Sequence, residues 1–151
     1  MAAAFGAYAQ PGTIDTSFGT GGYGFIPIGG FSSTIRNTII QPDNKIVNVG
    51  VVSMDGFSTN MVISRFNANG TVDTTFGTGG YTLSDAGNPN TAEGNDVAIQ
   101  STGHIVAVGN CFNTATHMDI LVTKYTANGI PDQSFGTQGK VVIDLGNGPQ
   151  Y

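Results

Sequence analysis

Apolar and polar side chains alternate along this chain in short runs, and no stretch keeps the i, i+3, i+4, i+7 spacing of an amphipathic helix. In KIVNVGVV, from Lys45, Val47 and Val49 share one face of an extended strand and Ile46 and Asn48 the other. HIVAVGNC, from His104, repeats this with Val106 and Val108 against Ile105 and Ala107. Both faces are largely apolar, which predicts strands covered on both sides, in a sheet between two others. Further strands are predicted at GFIPI from Gly24, at NTIIQ from Asn37 and DVAIQ from Asp96, and at MVISRF from Met61 and DILVTKY from Asp119. Pro27 lacks a ladder donor, so GFIPI suits an edge or a bulge. PDN and STG read as hairpin turns; NANG and TANG end the strands that precede them.

These runs recur in phase. GTIDTSFGTGGY begins at Gly12, GTVDTTFGTGGY at Gly70 and GIPDQSFGTQGK at Gly129, steps of 58 and 59 residues. QPDNKIVNVG from Gln41 returns as QSTGHIVAVG from Gln100, and MVISRFNANG from Met61 as ILVTKYTANG from Ile120, each after 59. One period shared by three ordered blocks marks a repeat protein, with repeats at about 12–69, 70–128 and a partial 129–151.

The repeat also disposes of a nucleotide site. Gly19, Gly21 and Gly24 spell G-x-G-x-x-G, but the second copy runs Gly77, Gly79, Gly80 and loses the last glycine, and the third has Gln138 at the middle one. No helix is predicted after it. What recurs is D-x-x-F-G, a turn. Asp15, Asp73 and Asp132 are expected to accept backbone N–H bonds, Phe18, Phe76 and Phe135 to plug the core, and Gly19, Gly77 and Gly136 to take left-handed backbone.

Four short antiparallel strands per repeat of about sixty residues is the pattern of a β-propeller blade. The predicted fold is all-β, with about two complete blades and, in GKVVIDLG, the first strand of a third. The blocks DTTFGTGGY, IIQPDNKIVNVG and VISRFNANGTVDTTFG resemble delta-60 repeats, a family of propeller-like domains of unknown function in bacterial exported and surface proteins. The resemblance spans nearly all of residues 12–145 and implies no catalytic residues and no cofactor. The second copy departs from it at Thr102, Gly103 and His104, where the first has Asp43, Asn44 and Lys45. His104 is expected as an exposed turn residue.

Closed propellers use about 4–8 blades. Two blades leave apolar faces to cover, so the expected partners are further blades of a longer chain or a homo-oligomer, with an open two-sheet stack as the third possibility.

Composition narrows the partners. The formal net charge is −5, which argues against nucleic acid and against an anionic membrane surface. Only 10% of residues are charged, against roughly 25% in an average domain, which suits short strands joined by many turns. The lone Cys111 excludes an intrachain disulfide. Near the N-terminus Ala7-Tyr8-Ala9 has the A-x-A form of a signal-peptide cleavage site, so residues 1–9 read as a signal remnant and 10–151 as the repeat domain of a secreted or cell-surface protein.

Chemistry is sparse. His117 with Asp119 lacks the further ligands of a metal site, and SDAGNPNTAEGND from Ser84 suits at most a weak calcium ion. The expectation is therefore no metal, no cofactor and no enzyme. The loops SMDGFSTN, DAGNPNTAEG and CFNTATHMD differ while the strands match, as a variable binding surface on a fixed scaffold does. The function expected is a non-catalytic binding or scaffold module for a glycan or protein ligand. The alternative is a propeller-based hydrolase acting on glycans.

Overall fold

The computed structural model describes residues 12–85, 91–112 and 118–145, and all regular structure among them is β. β1 (Ser32–Ile40), β2 (Ile46–Ser53), β3 (Asn60–Phe66) and β4 (Tyr81–Ser84) form one antiparallel sheet in chain order. β5 (Ala92–Ile99), β6 (Ile105–Phe112), β7 (Met118–Tyr125) and β8 (Lys140–Ile143) form the second. Register repeats with the sequence: Ile46 lies opposite Phe66 and Ser64 opposite Tyr81, and 59 residues on Ile105 lies opposite Tyr125 and Thr123 opposite Lys140. Even the irregularities match, with a bulge between Ile35 and Asn37 in β1 and another between Gly94 and Asp96 in β5. The chain is all-β and built of propeller-type blades of four antiparallel strands.

Two expectations are corrected. Residues 140–143 are not the first strand of a third blade. They hydrogen-bond to β7 as the fourth strand of the second sheet, just as Tyr81–Ser84 bond to β3. GFIPI, residues 24–28, forms no strand. It stands in its repeat where β4 and β8 stand in theirs, and no strand pairs with it among the described residues. The sequence repeat and the sheet are thus out of phase. The D-x-x-F-G turns at Asp73 and Asp132 each lie inside a sheet, between its third and fourth strands, the one at Asp15 precedes β1, and the passage from sheet to sheet falls between Ser84 and Ala92.

The sheets pack face to face. Val47, Val49, Met61 and Ile63 of the first sheet meet Ile105, Ala107, Cys111 and Leu121 of the second, with Phe76 and Tyr125 in the same cluster. Each fully buried aliphatic side chain of this kind contributes about 1.5–3 kcal/mol. Gly94 brings β5 close to β2, since a methyl group on it would stand 2.4 Å from Val49 Cγ2. Cys111 is a free, buried thiol. Burial, helped by the nearby Asp119 carboxylate, pushes its pKa up.

Coverage on both faces is met for β2 and not for β6. Residues 18–28 lie over the outer face of the first sheet, so β2 is buried on both sides. The corresponding face of the second sheet leaves Val108 and Phe112 exposed. No helix among the described residues is long and apolar enough to cross a membrane.

Candidate functional site

The three D-x-x-F-G turns are built alike. Asp15 Oδ1 accepts from Ser17 N and Oγ at 3.0 and 2.6 Å, Asp73 Oδ1 from Thr75 at 3.1 and 2.6 Å, and Asp132 Oδ1 from Ser134 at 3.0 and 2.6 Å. In each, the Phe N–H closes the turn on the aspartate carbonyl, at 3.1, 3.0 and 2.9 Å for Phe18, Phe76 and Phe135. The next residue must be glycine. Gly77 has φ 53°, and a methyl group there would fall 2.2 Å from the Tyr81 carbonyl oxygen. Gly19 and Gly136 repeat this geometry.

The second carboxylate oxygens of Asp73 and Asp132 reveal residues that sequence reasoning passed over. Asp73 Oδ2 holds Lys45 Nζ at 2.9 Å and Arg65 Nε at 2.8 Å. Arg65 is buried, donates to the Ala127 carbonyl in the turn after β7 at 2.6 Å, and lies 4.7 Å above the Phe76 ring. Burial alone would raise the Asp73 pKa. The Thr75 hydroxyl, Lys45, the Thr75 N–H and Arg65 outweigh it and hold the carboxyl well below the usual range.

In the next repeat, Asp132 Oδ2 holds Lys124 Nζ at 3.0 Å, with His104 Nε2 at 3.8 Å. The Ser134 hydroxyl first, then Lys124 and the Ser134 N–H, lower the Asp132 pKa to about 2. His104 stands at the position of Lys45, half-buried rather than exposed, with its Nδ1 2.9 Å from the Thr102 hydroxyl. The signal was available: Lys45, Arg65 and Lys124 are three of only five Lys and Arg residues, and they repeat in phase with the aspartates. Asp15 keeps the Ser17 cap, which lowers its pKa, and makes no salt bridge with a basic side chain among the described residues.

The phenylalanines join one repeat to the next. Gly77 N donates to the Asn128 carbonyl at 2.8 Å, and Gly129 packs on the Phe76 ring. Gly19 N donates to Asn69 at 2.7 Å, and Gly70 packs on Phe18. Phe76 is wholly buried by this, whereas Phe135 and Phe18 remain partly exposed. Phe18–Gly19 and Phe76–Gly77 thus each seat on the N-G turn of the following repeat.

The antiparallel order places the start of β1, the β2–β3 loop, the end of β4, the start of β5, the end of β6 and the start of β7 at one end of the two sheets. Asp55 organises the β2–β3 loop, accepting from Phe57 N, Ser58 N and Ser58 Oγ at 2.9, 2.8 and 2.7 Å, and these bonds lower its pKa to about 2. The turn holds Phe57 out at 92% exposure, and Phe31, 76% exposed, stands beside Gly56. Among the described residues no three His, Cys, Asp or Glu side chains gather as metal ligands. The expectations at residues 1–9, at His117 and at the centre of the Ser84 loop fall on residues 1–11, 113–117 and 86–90, outside the described residues.

A family model described as a beta-propeller domain of unknown function (DUF5122) matches residues 41–76. Residues 41–76 are a propeller repeat. The match agrees with the resemblance to delta-60 repeats. The matched repeat runs from the Gln41 hairpin through β2 and β3 to Phe76 and contains Lys45, Arg65 and Asp73, one whole charge network. The same unit recurs 59 residues on, at 100–135, with His104, Lys124, Asp132 and Phe135, so the second sheet is a propeller blade built by the same rules. No curated protein and no solved structure matches the chain.

Proposed function

We propose that this chain is a non-catalytic binding module of an exported or cell-surface bacterial protein, forming part of a larger or oligomeric propeller. The observation that carries the reading is the loop end. The strand ends there are joined by segments that differ in sequence between the matched repeats, and the β2–β3 segment is tied by Asp55 so that Phe57 projects into solvent. An ordered loop that exposes a large aromatic ring is suited to stacking on the apolar face of a sugar, and glycan is the ligand we favour. Export rests on the Ala7-Tyr8-Ala9 motif.

The alternative, a glycan hydrolase, gains no support from the acids of the inner strands. Glu93 is paired with Arg36 at 2.8 Å, and Asp96 accepts from Asn37. Binding isotherms on a polysaccharide panel, run beside an assay for released reducing ends, separate the two. Binding that Phe57→Ala abolishes without changing the unfolding midpoint supports the module. Binding indifferent to Phe57 and Phe31 overturns the site, and sugar release overturns the non-catalytic reading.

A further inference from the structure

The contacts between the two sheets follow a rule that also applies to their outer faces. Ser84 Oγ of the first sheet and Tyr125 Oη of the second meet at 2.6 Å. By register, Ser84 corresponds to Ile143 one repeat on, and Tyr125 to Phe66 one repeat back. Ile143 is 45% exposed on the outer side of the second sheet. Phe66 lines a cavity of about 330 Å³ between the first sheet and residues 18–28. A hydroxyl pair inside the molecule is thus matched by an apolar pair on its two outer faces, with both members changed together.

The inner strands follow the same rule. Arg36 pairs with Glu93 between the sheets, and the corresponding residues on the outer faces are Asn95 and Thr34, so no unpaired charge would be buried there. Asn37 donates to Asp96 between the sheets. These residues correspond to each other at 59, so the outer faces offer Asp96 against Asn37, the same donor and acceptor with places exchanged. Asp96 keeps a second carboxylate oxygen and Asn37 a second amide hydrogen for it.

We infer that the outer face of the second sheet docks on the outer face of the first sheet of a second copy, head to tail. This rests on the propeller reading above and names the partner. Phe135 and Gly136 seat on Asn69 and Gly70 of the second copy, as Phe76 and Gly77 seat on Asn128 and Gly129. Phe18–Ile28 already hold that place within the chain and must leave it, so they act as a competing plug. Ile35 stands where Gly94 stands between the sheets and is bulkier. It holds the inner strands further apart, so copies meet at a wider angle than the two sheets do.

Light scattering of the full 151-residue chain across the micromolar range tests this. The mass is expected to rise with concentration in multiples of 15.5 kDa. Ile143→Asp should return it to the monomer with an unchanged far-UV spectrum. Phe18→Ala weakens the plug and should lower the concentration at half-association by about tenfold or more. Asn37→Cys and Asp96→Cys, each purified alone, then mixed and oxidised, should give a cross-linked heterodimer, since Cys111 is buried. A 15.5 kDa mass at every concentration, or association that Ile143→Asp leaves intact, overturns the pairing. Association weakened by Phe18→Ala overturns the competing plug. None of these results would move the carbohydrate isotherms, so failure here is distinguishable from failure of the binding reading.

Discussion

The Phe76 ring lies so close to Gly129 that a methyl group on the glycine would stand 2.7 Å from Cζ. The contact joins the first sheet to the second, and Gly129 also holds a φ of 77° that side chains rarely adopt.

Phe76→Ala should cost about 3–5 kcal/mol, the range for a buried aromatic. Gly129→Ala should cost about 2–4 kcal/mol, from left-handed strain plus overpacking. Only the strain survives once the ring is gone. In the double variant, the Gly129→Ala step should therefore shrink to about 1–2 kcal/mol. Urea unfolding of the four proteins measures the cycle, and strict additivity would mean that ring and glycine do not touch.

Asp73→Ala removes the carboxylate that Arg65 and Lys45 share. Arg65 is buried, so the loss leaves a charge with no counter-ion and should cost about 3–5 kcal/mol. Asp73→Asn keeps the Thr75 cap and should cost less. Equal unfolding midpoints for wild type and Asp73→Ala would show that the ion pair does not hold the turn.

Stability should fall on acidification. A carboxyl whose folded pKa lies below its unfolded value adds stability above the unfolded value and loses it as pH drops through the folded one. Asp55 and Asp132 sit at about 2, against an unfolded value near 3.9, so their contributions fade between about pH 4 and pH 2. Asp73 lies lower still and should hold on longest. Denaturant midpoints at half-unit pH steps check this. A flat midpoint from pH 5 to pH 2 would contradict it, and Asp132→Asn should remove part of the slope.

Gln138 sits at φ 54°, where the first two repeats have Gly21 and Gly79 at 63° and 64°. The side chain is exposed, so nothing in the packing requires it. Gln138→Gly should raise stability by about 0.5–1 kcal/mol, left-handed relief exceeding the entropy of glycine. A lower thermal midpoint would show that Gln138 makes a contact worth more than the strain.

The period was legible from the recurring blocks, and the all-β class, the strands β2, β3, β6 and β7 and the C-terminal halves of β1 and β5 from the run of apolar residues between turns. The frame was not. A repeat read along a chain has no first strand, and only hydrogen bonding assigns Lys140–Ile143 to β7 rather than to a sheet still to come. The D-x-x-F-G turn could be read because its bonds span two or three residues. Its partners Arg65 and Lys45 lie 8 and 28 residues before Asp73, beyond any local pattern, and only their recurrence in phase with the aspartates marks them. The loop end was legible as a difference between copies, but the turn that holds Phe57 outward depends on three bonds to one carboxylate.

The peg of one repeat and the socket of the next are 52 residues apart for Phe18 and Gly70 and 53 for Phe76 and Gly129, and each pair straddles a boundary between successive repeats. A duplication or deletion of one whole period, wherever its breakpoints fall, therefore leaves the spacing between each joined peg and its socket unchanged. A gene built this way can lengthen or shorten by unequal crossing-over without spoiling a joint. Selection then acts on the number of copies and on the exposed loops, while the joints themselves stay fixed.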